Sequence, residues 1–327
     1  MPIIQSPYKA ARWLRNPHLQ TVLASRVFTP DVVDTDCERI ELPDGDFVDI
    51  NLSKRPVGDV VAIFHGLAGC MQSSYIRGAF QTLEQAGHRP VLMHWRGCSG
   101  EPNRLARSYH SGASDDIRWF INYLVTRFQG TPLLALGYSL GANALLKYLG
   151  EEGDQSPLSG ALAVSPPLVL QEGANRLNQG LARIYQRHLL TLMRRQHEQK
   201  RLRHPSLNLR AATPDLDSFW KFDDAITAPL HGYAGVDDYY HRCSARQYLP
   251  DIRVPVHILC ARDDPFFTPD ILPHASELSR QTTLELTPNG GHVGFLQGRE
   301  RWLDKRVAEV LSGLRVSPGR SPTPGCR

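Results

Sequence analysis

Three stretches of the chain carry side chains that could do covalent chemistry together. The first is Gly137-Tyr138-Ser139-Leu140-Gly141, where a serine stands between glycines two positions before and two after it. A serine hydroxyl is a poor nucleophile until a neighbouring base removes its proton. The second is Asn289-Gly290-Gly291-His292-Val293-Gly294-Phe295, where glycines let a histidine loop bend toward a distant partner. The third is Ala261-Arg262-Asp263-Asp264-Pro265, where a carboxylate could orient the imidazole and steady its protonated form. The chemistry implied is acyl transfer through an acyl-serine. Taken singly, each stretch has a plainer reading. A glycine-rich turn is common, a histidine in a glycine loop often lies at the surface, and Asp-Asp-Pro often caps a helix or turns the chain. Together and in this order they define one reaction. Asp263 and Asp264 compete for the carboxylate role. Counting from Ala261, which ends a strand, favours Asp264 and leaves Asp263 to support the loop.

An oxyanion needs two backbone N–H donors. One is expected from Leu140, which follows the serine and opens a helix. The other is expected from His65-Gly66-Leu67, at the N–H of Leu67. His65 reads as a strand-end histidine packing that loop. Cys98 could also be a nucleophile by type, but nothing places it on a turn of the right kind.

The elements that must position these groups are legible as periodicity. Val60–Phe64, Pro90–Trp95, Leu133–Leu136, Gly160–Val164, Val254–Cys260 and Thr283–Leu286 are short apolar runs, as in strands covered on both faces. Helical stretches alternate with them at Ser73–Ala86, Asp115–Phe128, Ala142–Leu149, Pro269–Leu278 and Arg299–Leu311. This alternation predicts an α/β fold with a mostly parallel, doubly wound sheet. Glu38–Leu42 and Phe47–Leu52 alternate about a Pro43-Asp44-Gly45-Asp46 turn and predict an N-terminal β-hairpin at its antiparallel edge. Between about residues 166 and 248 the alternation breaks. An inserted helical cap is expected there, with Leu181–His204 as a basic helix whose charged face is solvated. A membrane-surface or anionic-substrate contact is its alternative role. Serine, aspartate and histidine then fall at successive strand ends in the order of the α/β-hydrolase fold.

Composition narrows the class. The chain has 327 residues, 41% of them hydrophobic and 21% charged, with a formal net charge of +4. That is a globular composition with too little excess charge to argue for nucleic acid. Six scattered cysteines with no C-x-x-C pair favour reduced thiols over a disulfide framework. No secretory leader is read at the N-terminus and no apolar run is long enough for a membrane span, so a cytoplasmic protein is expected. The thirteen histidines give no H-x-H or H-E-x-x-H spacing. No metal or other cofactor is expected.

Several motifs then resemble one family. They are His65-Gly66-Leu67, Arg96-Gly97-Cys98-Ser99-Gly100-Glu101-Pro102-Asn103, Tyr109-His110-Ser111-Gly112, the Ser139 turn and the His292 loop. Asp223, Gly232-Tyr233, Asp238-Tyr239-Tyr240, Ser244 and Asn16–Thr21 extend the match. They resemble the AB-hydrolase-4 family, the YheT-like bacterial branch of the α/β-hydrolases, over about residues 15 to 312. The resemblance implies a carboxylic-ester hydrolase with Ser139, Asp264 and His292 as its triad. Its partner would be a small-molecule ester, short- to medium-chain or monoacylglycerol-like, and so a lipid in some cases. Eukaryotic relatives of that family are membrane-anchored, so their lipid substrates do not transfer directly. The domain plan expected is an N-terminal extension over 1–36, a hydrolase domain over 37–316 and a disordered tail over 317–327. The rivals are an acyltransferase or ester synthase using the same triad, and a non-catalytic binding module. Oligomeric state is not legible.

Overall fold

The computed structural model describes residues 2–314, so the tail expected over 317–327 lies outside the described residues. In chain order its elements begin with β1 (Ile3–Gln5), α1 (Pro17–Arg26), β2 (Thr35–Glu41), β3 (Phe47–Ser53) and β4 (Val60–Phe64). Then come α2 (Ser74–Gln85), β5 (Arg89–Met93), α3 (Ser114–Arg127), β6 (Leu133–Tyr138), α4 (Leu140–Glu152) and β7 (Gly160–Val164). An insertion follows, made of α5 (Leu170–Leu177), α6 (Ala182–Arg203), α7 (Phe219–Phe222), a π-helical stretch Asp223–Thr227, α8 (Ala228–Leu230) and α9 (Val236–Cys243). The chain closes with β8 (Val256–Ala261), β9 (Thr282–Thr287), β10 (Leu296–Gln297), β11 (Glu300–Arg301) and α10 (Trp302–Gly313).

Nine strands form one sheet in the order β1-β9-β8-β7-β6-β4-β5-β3-β2. Every pairing from β1 to β5 along that order is parallel. Only β3 and β2 run antiparallel, at the edge, where the hairpin was expected. The parallel strands are apolar throughout because helices cover both faces. One cluster gathers β4, β6 and α4 side chains such as Phe64, Ala135 and Leu145. The other gathers Ile63, Leu136 and Leu162 against α2 and α10.

The first 36 residues, expected as an extension, are tied into the fold. β1 adds the outermost strand beside β9, with Ile3 opposite Leu284. The Gln20 side chain is fully buried and bonds the backbone of both Leu14 and Leu296. The helix expected over Pro269–Leu278 is replaced by two 3-10 turns, Pro269–Ile271 and Ala275–Glu277. Pro273 removes a backbone donor and holds Leu272 extended, at ψ 130°.

The insertion has its own apolar core, including Leu177, Leu190, Phe222 and Tyr240. Leu67 and Phe266 pack against it, so it lies over the loops after β4 and β8. Asn143 of α4 fastens its base, donating to the carbonyls of Ser111 and Cys243 and accepting from the Ala245 N–H. The Tyr239 hydroxyl accepts from the Ser111 N–H at 3.0 Å and ties the insertion to the loop before α3. The basic helix departs from expectation at Lys200. Its ammonium is buried and donates to Asn103 Oδ1 and to the Arg107 carbonyl. Burial pushes this lysine down to about 7.

Candidate active site

Ser139 stands between β6 and α4 with φ 49° and ψ −117°. That is left-handed backbone, costly for a residue with a Cβ and tolerated where the surroundings enforce it. Glycine is required on either side because of what lies there. A Cβ on Gly137 would meet the Ala142 backbone at 2.6 Å, and one on Gly141 would meet the Phe64 carbonyl oxygen at 2.3 Å. The two glycines let strand, turn and helix come together tightly enough to raise the serine out of the sheet.

His292 lies in the loop after β9. Its Nε2 is 2.9 Å from Ser139 Oγ and its Nδ1 is 2.8 Å from Asp264 Oδ2. The Asp264 side chain is buried, and its second oxygen accepts from the Phe266 N–H at 2.8 Å. Asp263 takes the supporting position. Its Oδ1 accepts from the Gly291 N–H at 3.0 Å and its Oδ2 from the Asn289 side chain at 3.2 Å, so it shapes the histidine loop. Burial, with a smaller push from the charge of Asp264, raises the Asp263 carboxyl.

Of the N–H groups of Gly66 to Gly69 in the loop after β4, all but that of Leu67 have an acceptor among the described residues. The Gly66 N–H donates to the Tyr75 hydroxyl and the Ala68 N–H to the Tyr109 hydroxyl. The Gly66 carbonyl accepts from His65 Nδ1 at 2.7 Å and from the Gly69 N–H at 3.0 Å. The Leu67 N–H belongs to the same trans peptide as that carbonyl and points the opposite way. It has no acceptor among the described residues, and neither does the Leu140 N–H. A Cβ on Gly66 would lie 3.2 Å from Ser139 Cβ, which places this loop directly against the serine.

His65 therefore packs and orients. Its Nε2 accepts from the Trp95 N–H at 3.2 Å, which puts the ring proton on Nδ1. Complete burial, helped by His94, pushes its pKa down to about 3 and keeps it neutral. The segment after β5 braces the same region. Arg96 is buried and bonds both Asp116 and Asp46. Cys98 is buried with its thiol pushed up to about 12, which makes it inert as a nucleophile.

Two contacts escaped the sequence reading. Thr21 Oγ1 accepts from the His292 N–H at 2.9 Å, and the Phe266 ring stacks on the imidazole at 4.0 Å with planes 8° apart. Thr21 lies in the Asn16–Thr21 stretch, whose residues read as a loop entering a short helix and gave the threonine no role at the site. Nothing in local spacing marks Phe266. A larger polar cleft of about 550 Å³ lies where α3 and α4 meet the insertion, and its walls include none of Ser139, Asp264 or His292.

A parallel sheet with this constellation at its carboxyl edge defines the α/β-hydrolase class. The chain matches the family described as the alpha/beta hydrolase fold over residues 59–299 and belongs to it. It is 40% identical over 313 residues to YheT, a candidate esterase of Escherichia coli, covering 92% of each chain, and so falls in the YheT-like branch. It is 30% identical over 273 residues to a monoacylglycerol lipase of Saccharomyces cerevisiae, covering 80% of this chain and 61% of that protein. Among solved structures, an esterase of Pyrococcus furiosus superposes with a TM-score of 0.57 over 94% of this chain and 99% of that one. At 14% identity that likeness speaks for the fold alone.

Proposed function

We propose that this chain hydrolyses carboxylic esters through an acyl-enzyme on Ser139. The observation that carries the reading is the continuous relay from Ser139 Oγ through His292 to Asp264, at 2.9 and 2.8 Å. In the first step Ser139 Oγ bonds to the ester carbonyl carbon while His292 Nε2 takes its proton. The carbonyl electrons move onto oxygen, facing the N–H groups of Leu67 and Leu140. His292 Nδ1–H donates throughout to Asp264, which fixes the tautomer and steadies the imidazolium. The intermediate collapses, the alkoxide leaves with the Nε2 proton, and the acyl group remains on Ser139. Water then repeats the sequence, giving the acid and restoring the serine. The insertion over Leu67 and Phe266 acts as a cap that shapes the acyl and alcohol pockets. The names of the relatives, an esterase and a monoacylglycerol lipase, agree with a small ester or a monoacylglycerol-like lipid as substrate.

A panel of nitrophenyl esters graded by acyl length tests this. Turnover well above background is expected, lost in Ser139→Ala. Background rates across the panel would leave a binding module. The same acyl-enzyme can be captured by an alcohol, so products are analysed with added ethanol or glycerol. Free acid as the main product supports hydrolysis, and a new ester as the main product supports acyl transfer.

A further inference from the structure

We infer that the rim beside His292, built from α1 with its preceding turn and from the start of α6, docks on an anionic lipid surface and presents the active-site mouth to it. The inference rests on the ester-hydrolase reading and names where that site meets its substrate.

The two segments flank the catalytic histidine. Gly291 packs so closely on α1 that a Cβ there would meet the Pro17 carbonyl oxygen at 2.5 Å. His18 of α1 stacks on Tyr185 of α6, with rings 5.7 Å apart and 10° from parallel. Tyr185 in turn meets Phe266, the ring that covers His292.

Around this inner contact the surface is apolar and open. Trp13 is 56% exposed, Leu19 44%, Leu181 63% and Ile184 64%. Large apolar side chains grouped on an exposed surface mark an interaction site. Leu181 and Ile184 lie within one turn of Tyr185, and Leu19 follows His18 directly.

The arginines of these segments and of the neighbouring α5 are unpaired. Arg12, Arg15, Arg183 and Arg187, with Arg176 of α5 beside them, form no ion pair among the described residues, as is true of several arginines elsewhere on the surface. Residues 9–26 contain no acidic residue, and over 170–187 only Glu172 opposes the three arginines. Exposed Trp, Leu and Ile among unpaired arginines suit a membrane interface, where the rings and aliphatic chains enter the headgroup boundary and the arginines meet lipid phosphates. A protein partner or a second copy of the chain would fit the apolar patch alone. The unpaired arginines favour the anionic lipid.

The test is co-sedimentation of the full chain carrying Ser139→Ala, which cannot hydrolyse lipid, with large unilamellar vesicles. One set is phosphatidylcholine alone and the other contains about a third phosphatidylglycerol. Binding to the anionic set is expected to be at least about tenfold tighter and to weaken steeply on raising salt. Arg183→Gln with Arg187→Gln should weaken it about tenfold, and Leu181→Ser with Ile184→Ser should remove what survives at high salt. Thermal melts equal to the parent establish that each variant is folded. Equal binding to both vesicle sets, no binding to either, or binding unchanged by both pairs of substitutions would overturn the inference. So would concentration-dependent dimerisation abolished by Leu181→Ser with Ile184→Ser, which would assign the patch to a second copy. Wild-type turnover of a water-soluble ester reports separately on the hydrolase reading. An active enzyme that ignores anionic vesicles defeats only the docking surface.

Discussion

Ser139 is held at a positive φ that its own side chain disfavours, and the glycines around it make that possible. The two adjacent aspartates illustrate how position divides roles. Asp264 faces the imidazole, and Asp263, one residue earlier, holds the loop that carries it. Asp264→Asn should lower kcat by about four orders of magnitude, because the amide stabilises the wrong tautomer. Asp263→Asn should cost only about tenfold, since it loosens a loop without removing the orienting charge. Steady-state kinetics on one soluble ester separates the two, and equal losses would contradict the division. That Ser139, Asp264 and His292 come together was legible in the sequence, because serine, acid and histidine each follow a strand. Thr21 was not, because its hydrogen bond to His292 spans 271 positions. Thr21→Val should lower kcat about tenfold with little change in KM. A change confined to KM would show that the threonine serves binding instead.

At the scale of elements, the site depends on how closely α4 lies on β4. Gly141→Ala would drive a Cβ into the Phe64 and His65 carbonyls and should destabilise the protein by about 3 kcal/mol, at the upper end for overpacking. Chemical denaturation measures it, and an unchanged midpoint would contradict the close approach. The β9 strand is held at its outer side by Glu285. Burial pushes this carboxyl up, but hydrogen bonds from His257, Arg306 and Ser6 outweigh it and hold it at about 2. A carboxylate lowered in the folded state stabilises fully above its unfolded value and loses that contribution as pH falls toward the folded one. Glu285→Gln should therefore cost about 2 kcal/mol at pH 7, and the gap should narrow as pH drops from about 5 toward 2. A gap independent of pH would contradict the pairing. The parallel strands and main helices were legible from apolar runs and helical periodicity. The region 269–278 departs from its expected helix because three nearby prolines, Pro265, Pro269 and Pro273, break it into 3-10 turns. The burial of Lys200 is not legible locally, because its acceptors, on Asn103 and Arg107, belong to a loop nearly a hundred residues earlier.

Over the whole molecule, the N-terminal segment meets the histidine loop. The N-terminal strand and α1 brace the β9 edge, and the insertion after β7 lies over the loops that carry Leu67 and Asp264. Sequence could announce the insertion, since the strand–helix alternation stops there. It could not show that the first residues complete the sheet, because a three-residue strand leaves no periodicity to read. No helix among the described residues is long and apolar enough to cross a membrane. All of this serves one claim, that the hydroxyl of Ser139 is made nucleophilic by its histidine. A fluorophosphonate probe followed by peptide mass spectrometry tests it most directly. The account predicts a single modified peptide carrying the label on Ser139, with labelling abolished in Ser139→Ala and strongly slowed in His292→Ala. Labelling that persists in Ser139→Ala, or none in the folded wild type, would contradict it.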